Sequence, residues 1–509
     1  MINAELIEYV RGQLSRQVSA EEVKRGLIAN GWSVADVQEA FNTVGTQKEP
    51  SISISIQDSK ENLPVAKKRI WVKVLLSILL IIILIVAGLA VFSYKLATRA
   101  GHDIPPIDDS DLTLQTTNVP DADNSYFDLI KIDEKIIVPE NASSSSYISN
   151  MVSGKVPWDE KLVQEIESEN KEAFIYFDSA ANKLKYQDVN FAEVDKVGPE
   201  TPLPKMNPWR YLSSFSAVKA VSLARQGKDV PALDEAFKSI RVGQQLTNSQ
   251  SVLIEYLVGN AMKHTGLSAV QQILSLSSLR KVNLKKYIDE LDQYQKNEDG
   301  LVNAWKFEYR IQSNTIDRAT SNDSEFLKAV AEETKIDKEK LASKLRNSFY
   351  FEANKTKLLL ADGTREKLKS STGNCVVLES SDEKPTNIDF IEILNEENSI
   401  GNIVYRIVHS NLNGVILKKC QETVMVRATQ TLLGIKAYKN DTSKYPNSLD
   451  ELVPKYLSAV PKDPFDGNNI KYLPEKKIIY SVGKDGKDDN GISTDDLQTV
   501  PDITFTINF

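Results

Sequence analysis

Cysteine is nearly missing from this chain of 509 residues: there are two, Cys375 and Cys420. At most one bridge is therefore available. The pair reads either as a disulfide in an oxidising compartment or as two buried thiols, since sequence gives no distance between them. Histidine is almost as scarce. His102, His264 and His409 have no partner at the helical or finger spacing a metal ligand needs, so each reads as a surface or satisfied core residue. Positive charge is not in excess: 62 basic residues stand against 70 acidic ones, a net charge of −8. That balance gives no global pull toward nucleic acid. Nucleotide and hydrolase signatures are missing too. There is no P-loop, no Gly-x-Gly-x-x-Gly, no His-Glu-x-x-His and no Gly-x-Ser-x-Gly. Acidic residues are plentiful on the helices, so a paired-carboxylate hydrolase stays as an alternative, but no one pair stands out. The expectation is a chain that is not an enzyme.

One long apolar run is present. Val74 to Phe92 carries no charge, and only Ser77 is polar. A helix of that length matches the hydrocarbon core of a bilayer, about 30 Å thick. A buried core helix would keep a polar face, and this run has none. Lys67, Lys68, Arg69 and Lys73 crowd its N-terminal flank, while Lys95 and Arg99 on the far flank are followed by Asp103, Asp108, Asp109 and Asp111. This bias predicts a single span over 70–94 with the N-terminus in the cytoplasm and the bulk outside. Trp71 and Tyr94 fall at the two interfaces. The run is too long for a signal-peptide core, and no small-residue cleavage site follows it, so an uncleaved signal anchor is expected.

Residues 1–45 predict three short helices. Leu6, Ile7, Val10 and Leu14 share one face. Ser19 with Glu22 forms a capping box for a helix carrying Val23, Leu27 and Ile28, which Asn30-Gly31 ends. Ser33 with Asp36 opens the third, which carries Val37, Ala40 and Phe41, and Trp32 sits at the corner. The stretch Leu27-Ile28-Ala29-Asn30-Gly31-Trp32-Ser33 resembles the turn between helices two and three of ubiquitin-associated-like modules. That resemblance implies a docking role; a capped tail that binds nothing is the other reading. Residues 46–69 read as a polar linker.

Outside, residues 101–123 are rich in Asp, Thr and Pro and read as a stalk. Residues 124–410 read as a helical domain. A helix is expected from Trp158 to about Leu184, then a break at the prolines from Pro199 to Pro208. Further helices are expected at 209–226, 230–246, 249–275, 279–297, 299–319 and 323–347. No fixed repeat is present, which leaves antiparallel helices in an irregular bundle. Residues 350–400 are less regular, with Cys375-Val376-Val377-Leu378 a candidate short strand.

The most specific signal lies in residues 411–509. A helix over Val415 to Tyr438 runs into Lys444-Tyr445-Pro446-Asn447-Ser448-Leu449-Asp450-Glu451-Leu452. Pro446 cannot continue a helix, and Ser448 can cap a short one. Val460-Pro461-Lys462-Asp463-Pro464-Phe465-Asp466-Gly467 pins a turn. Strands are expected at Ile470-Lys471-Tyr472 and at Lys477 to Val482, before Gly483-Lys484-Asp485-Gly486. Gly483 and Gly486 permit positive φ. This succession resembles the C-terminal half of the major pseudopilin of type II secretion systems. The resemblance implies a small α+β module with an antiparallel sheet and a calcium-binding loop. Calcium takes six to eight oxygens. Carried over by position, the ligands are the Val482 carbonyl, Asp485, and Asp495 or Asp496, with Asp488 a further candidate. An EF-hand register around Gly491 fails, because it puts Gly486 and Leu497 where oxygens are needed. A solvated acidic loop is the other reading. The Gly-Phe-Thr-Leu-Ile-Glu processing pattern of a prepilin is absent, so filament formation does not carry over.

The fold class expected is thus mainly α: one transmembrane helix, an extracytoplasmic helical domain and a small C-terminal α+β module. The expected role is a scaffold or adaptor in the bacterial inner membrane. Its partners would be proteins of the cell envelope and, through one span, the membrane itself; nucleic acid is not expected. An accessory part of a type II secretion or type IV pilus-like system is the first alternative, and an extracytoplasmic hydrolase the second.

Overall fold

A computed structural model describes most of residues 103–321, then 351–372, 375, 397–409, 413–492 and 502–509, with scattered positions before residue 42 and at 337 and 339. The chain divides into two compact units, Met1–Leu89 and Ala90–Phe509. In the first, Val10, Val23, Leu27, Val37 and Ala40 are helical and buried together, with Phe41 packed on them. These are the predicted apolar faces. Leu6, Ile7, Leu14, Ile28, Trp32, the linker and the run at 74–92 lie outside the described residues. Among the described residues no helix is long and apolar enough to cross a membrane.

The second unit is mainly helical with a small three-stranded antiparallel sheet. Its helices are α1 (Tyr126–Ile132), α2 (Ser145–Val152), α3 (Glu160–Glu169), α4 (Lys171–Ala181), α5 (Asn207–Arg225), α6 (Asp229–Thr247), α7 (Leu253–Leu276), α8 (Leu284–Gln295), α9 (Gly300–Ser321), α10 (Ala353–Thr372), α11 (Ser399–His409) and α12 (Asn413–Thr442). The strands are β1 (Lys471–Leu473), β2 (Ile478–Ser481) and β3 (Ile503–Thr506).

Local chemistry sets the boundaries. The helix expected from Trp158 to Leu184 is two helices. Asn170, fully buried between α3 and α4, accepts from the Ile137 N–H at 2.8 Å and donates to the Ile137 carbonyl at 2.8 Å. Those bonds pin a neighbouring segment and interrupt the helix. Asp159 caps α3 by accepting from the Leu162 N–H. Pro208 occupies the first turn of α5, where its missing donor costs nothing. Gly227, at φ 72°, closes the same helix, as Lys228 N–H donates to the Leu223 carbonyl.

α5, α6 and α7 pack on one another at the centre. Glycine lets α6 and α7 approach closely. A Cβ on Gly243 would lie 2.5 Å from the Gly259 carbonyl, and one on Gly259 would lie 2.7 Å from the Gly243 carbonyl. The acidic segment read as a stalk is held along its first part by α9 and α10. Asp103 accepts from the Asn354 and Lys355 N–H groups. Tyr309 donates to Asp109, and Arg365 grips Asp111 with two nitrogens at 2.9 and 2.7 Å. α10 itself was not expected; the region it occupies lacks a wide apolar stripe.

α12 is buried on opposite sides. One side meets α7 and α8: Lys263 pairs with Glu422 at 2.6 Å, Gln271 donates to Thr429 at 2.8 Å, and Gln295 donates to Gln430 at 2.9 Å. The other covers the sheet and the turn at Leu449–Leu452. The largest hydrophobic cluster joins residues from Tyr126 on α1 to Ile507 beyond β3, while smaller separate clusters lie around α9 and α10. Cys375 and Cys420 form a disulfide and are not two free thiols. The segment 323–347 and Val376-Val377-Leu378 lie outside the described residues.

Candidate metal centre

The loop in question hangs between β2 and β3. β2 is the central strand, paired to β1 with Tyr472 opposite Ile479 and to β3 with Ile479 opposite Phe505. All four of its residues are buried. Its end is anchored from the Pro-Lys-Asp-Pro-Phe turn. Asp463 is 1% exposed. It accepts from the Phe465 N–H at 2.9 Å, the Ser481 hydroxyl at 2.9 Å and the Val482 N–H at 2.8 Å. The motif thus ties the turn to the strand that carries the loop. Burial pushes the Asp463 carboxyl above its usual range, and these three donors oppose that shift. The helix before it stops as expected ahead of Pro446, with Ser443 left-handed at φ 61°. Ser448 takes the cap position of the short turn but its hydroxyl makes no cap bond; Glu451 instead accepts from the Asn447 N–H at 3.1 Å.

After Val482 the chain turns through Gly483, Gly486 and Gly491, all at positive φ. Three of the five expected ligands are described. Val482 bonds Asp463 through its N–H, which leaves its carbonyl for another partner. Asp485 accepts from the Lys487 N–H at 3.1 Å. Asp488 accepts from the Asn490 N–H and from the Tyr480 hydroxyl, both at 3.0 Å. Lys471 stands 3.5 Å from its other oxygen. Asp495 and Asp496 lie outside the described residues. Among the described residues no three carboxylate, imidazole or thiolate side chains gather as a metal cage.

A fifth carboxylate, outside the expected ligand set, enters here. Asp502 is 2% exposed. One oxygen accepts from the Gly491 N–H at 2.7 Å, and the other is buried without a hydrogen-bond partner. Burial pushes its carboxyl up, and the negative charges of Asp488 and Asp489 add to the effect. Asp488 and Asp489 thus act on Asp502 through their charge, although the three do not gather as a metal cage. The signal in the sequence was Pro501-Asp502-Ile503, an acid at the mouth of an apolar strand.

An acidic pair lies in the helical part, remote from this loop in sequence. Glu255, at the start of α7, is fully buried and accepts from the Tyr186 hydroxyl at 2.6 Å. Asp188 is 1% exposed. Glu255 Oε2 and Asp188 Oδ2 find no donor, yet the two carboxyls face each other. One shared proton satisfies both. Loss of hydration, then the Asp188 charge, pushes Glu255 up to about 8. The pair is sealed from any glycan, so it does not serve the hydrolase alternative.

Comparison with protein-family models, with curated proteins and with solved structures finds no match.

Proposed function

We propose that this chain is a single-pass envelope protein whose outer part is a scaffold or adaptor, and that its C-terminal loop binds calcium. The observation that carries the scaffold reading is the mounting of α12. That helix is clamped between α7 and α8 on one side and the sheet on the other, and the disulfide locks its first third. A module held so firmly transmits position rather than swinging free. The disulfide also supports an oxidising compartment for residues 90–509, which agrees with the charge bias around the apolar run.

In the calcium reading, the Val482 carbonyl, Asp485, Asp488 and Asp502 supply oxygens, with Asp495 and Asp496 from the same loop. The ion would neutralise acids that otherwise repel one another. The order of elements favours the secretion or pilus-like alternative as a second reading: a long helix, a Tyr-Pro turn, a short helical turn, then an antiparallel sheet, as the pseudopilin resemblance implies. Crosslinking in intact cells, followed by identification of bound proteins, tests the assignment. Envelope proteins in the catch would support the scaffold. Pilins or an assembly ATPase would favour the second reading. No crosslinked protein at all would remove both.

A further inference from the structure

A groove of about 400 Å³ lies between α2, α5 and α7, remote from the acidic loop in sequence. Its volume is in the range of small-ligand sites. Ile148 and Val152 from α2, Ala217 from α5 and Met262 from α7 line it with carbon. Its polar groups come from the same three helices. Arg210 is exposed on α5, and its guanidinium has no partner among the described residues. The hydroxyls of Ser149 and Ser268 also lack partners there. Ser214 and Thr265 donate back to their own helices, at 3.1 and 2.9 Å, and so present lone pairs to the groove.

Arg210 is the one lysine or arginine among the described residues that line the groove. Lys263, on the same turn of α7 as Met262, points away and is paired with Glu422 and Gln244. His264 also lines the groove; loss of water holds its imidazole below the ordinary histidine value, and the Glu422 charge opposes that shift. A guanidinium recognises a carboxylate or phosphate by parallel N–H donors. One cation with an apolar floor matches one carboxylate on an apolar body better than a phosphate dianion.

We infer that this groove binds a small organic monocarboxylate, its carboxylate on Arg210 and its apolar body over Ile148, Val152 and Met262. Ser149 and Ser268 would donate to the ligand's remaining oxygens.

The test is titration of the full-length protein in lipid nanodiscs with phenylacetate and with the neutral phenylacetamide, read by calorimetry or saturation-transfer NMR. Phenylacetate should bind at least about tenfold more tightly than the amide, the expected worth of one charge-assisted contact. Arg210→Gln should bring phenylacetate down to the level of the amide and leave the amide unchanged. Ser268→Trp, which fills the groove from its half-exposed wall, should abolish both. Equal binding of the two probes overturns the inference. So does phenylacetate binding that survives Arg210→Gln, or none up to about 10 mM. Inorganic phosphate displacing phenylacetate at equal concentration would also overturn it, since the site would then be a general anion site.

Discussion

Asp463 shows how much one side chain can hold. It satisfies three donors from a turn and a strand end at once, in a place water does not reach. Asp463→Ala would strand all three, and should lower stability by about 3 kcal/mol in urea unfolding of the full-length protein. Asp502 makes the opposite prediction. Its charge is a liability without a cation, so Asp502→Asn should leave the melting temperature in chelator unchanged or higher, and should erase any rise that calcium gives the unmutated protein. A calcium-dependent rise that persists in this variant would remove Asp502 from the site. Glu255 sets a pH dependence. Its folded value lies above its unfolded one, so its contribution is complete below the ordinary glutamate range and is lost as pH rises through about 8. Glu255→Gln mimics the protonated form. It should flatten the slope of stability over that window and be more stable than the parent at its upper end, by at least about 1 kcal/mol. Of these three residues only Asp463 stood out in the sequence, inside a proline-bounded motif. Nothing in the residues around Glu255 announces that Asp188, 67 places earlier, meets it, because that encounter is a product of packing.

At the level of elements, the helices with strong punctuation were legible. α5 and α6 start and stop within a few residues of their expected limits, because Pro208, Gly227 and Asp229 mark their ends, and α9 also falls close to its expected span. α10 was missed. Gly363 falls in its middle, its apolar stripe is narrow, and its first turn is capped from afar by Asp103 rather than by a local residue. β3 was missed for a similar reason: a strand of four residues carries too short a pattern to be told from a tail. Gly243 and Gly259 fall inside helices that were expected, and they are what lets α6 touch α7. Gly259→Ala should therefore destabilise by about 2 kcal/mol, since the overpacking outweighs the gain in helix propensity. Gly227→Ala meets no such wall but must adopt a positive φ, so its cost should be smaller, near 1 kcal/mol. A thermal-melt comparison of the two variants separates close approach from backbone conformation.

Across the whole molecule, the disulfide closes a loop over 45 residues. In the chain-entropy account such a closure contributes about 4 kcal/mol. Cys375→Ser with Cys420→Ser should lower the unfolding midpoint, and reduction of the unmutated protein should reproduce the loss. The placement of α12 has a different consequence, one of time. Its partners on α7 precede it by more than 150 residues, as in Gln271 and Thr429, which are 158 apart. At a synthesis rate of 5–20 residues per second the face of α7 waits about ten seconds or longer for its cover. Through that interval a newborn chain presents an apolar surface to whatever surrounds it. A helper that shields the face until α12 arrives would raise the yield of folded protein, and slower synthesis would lower it.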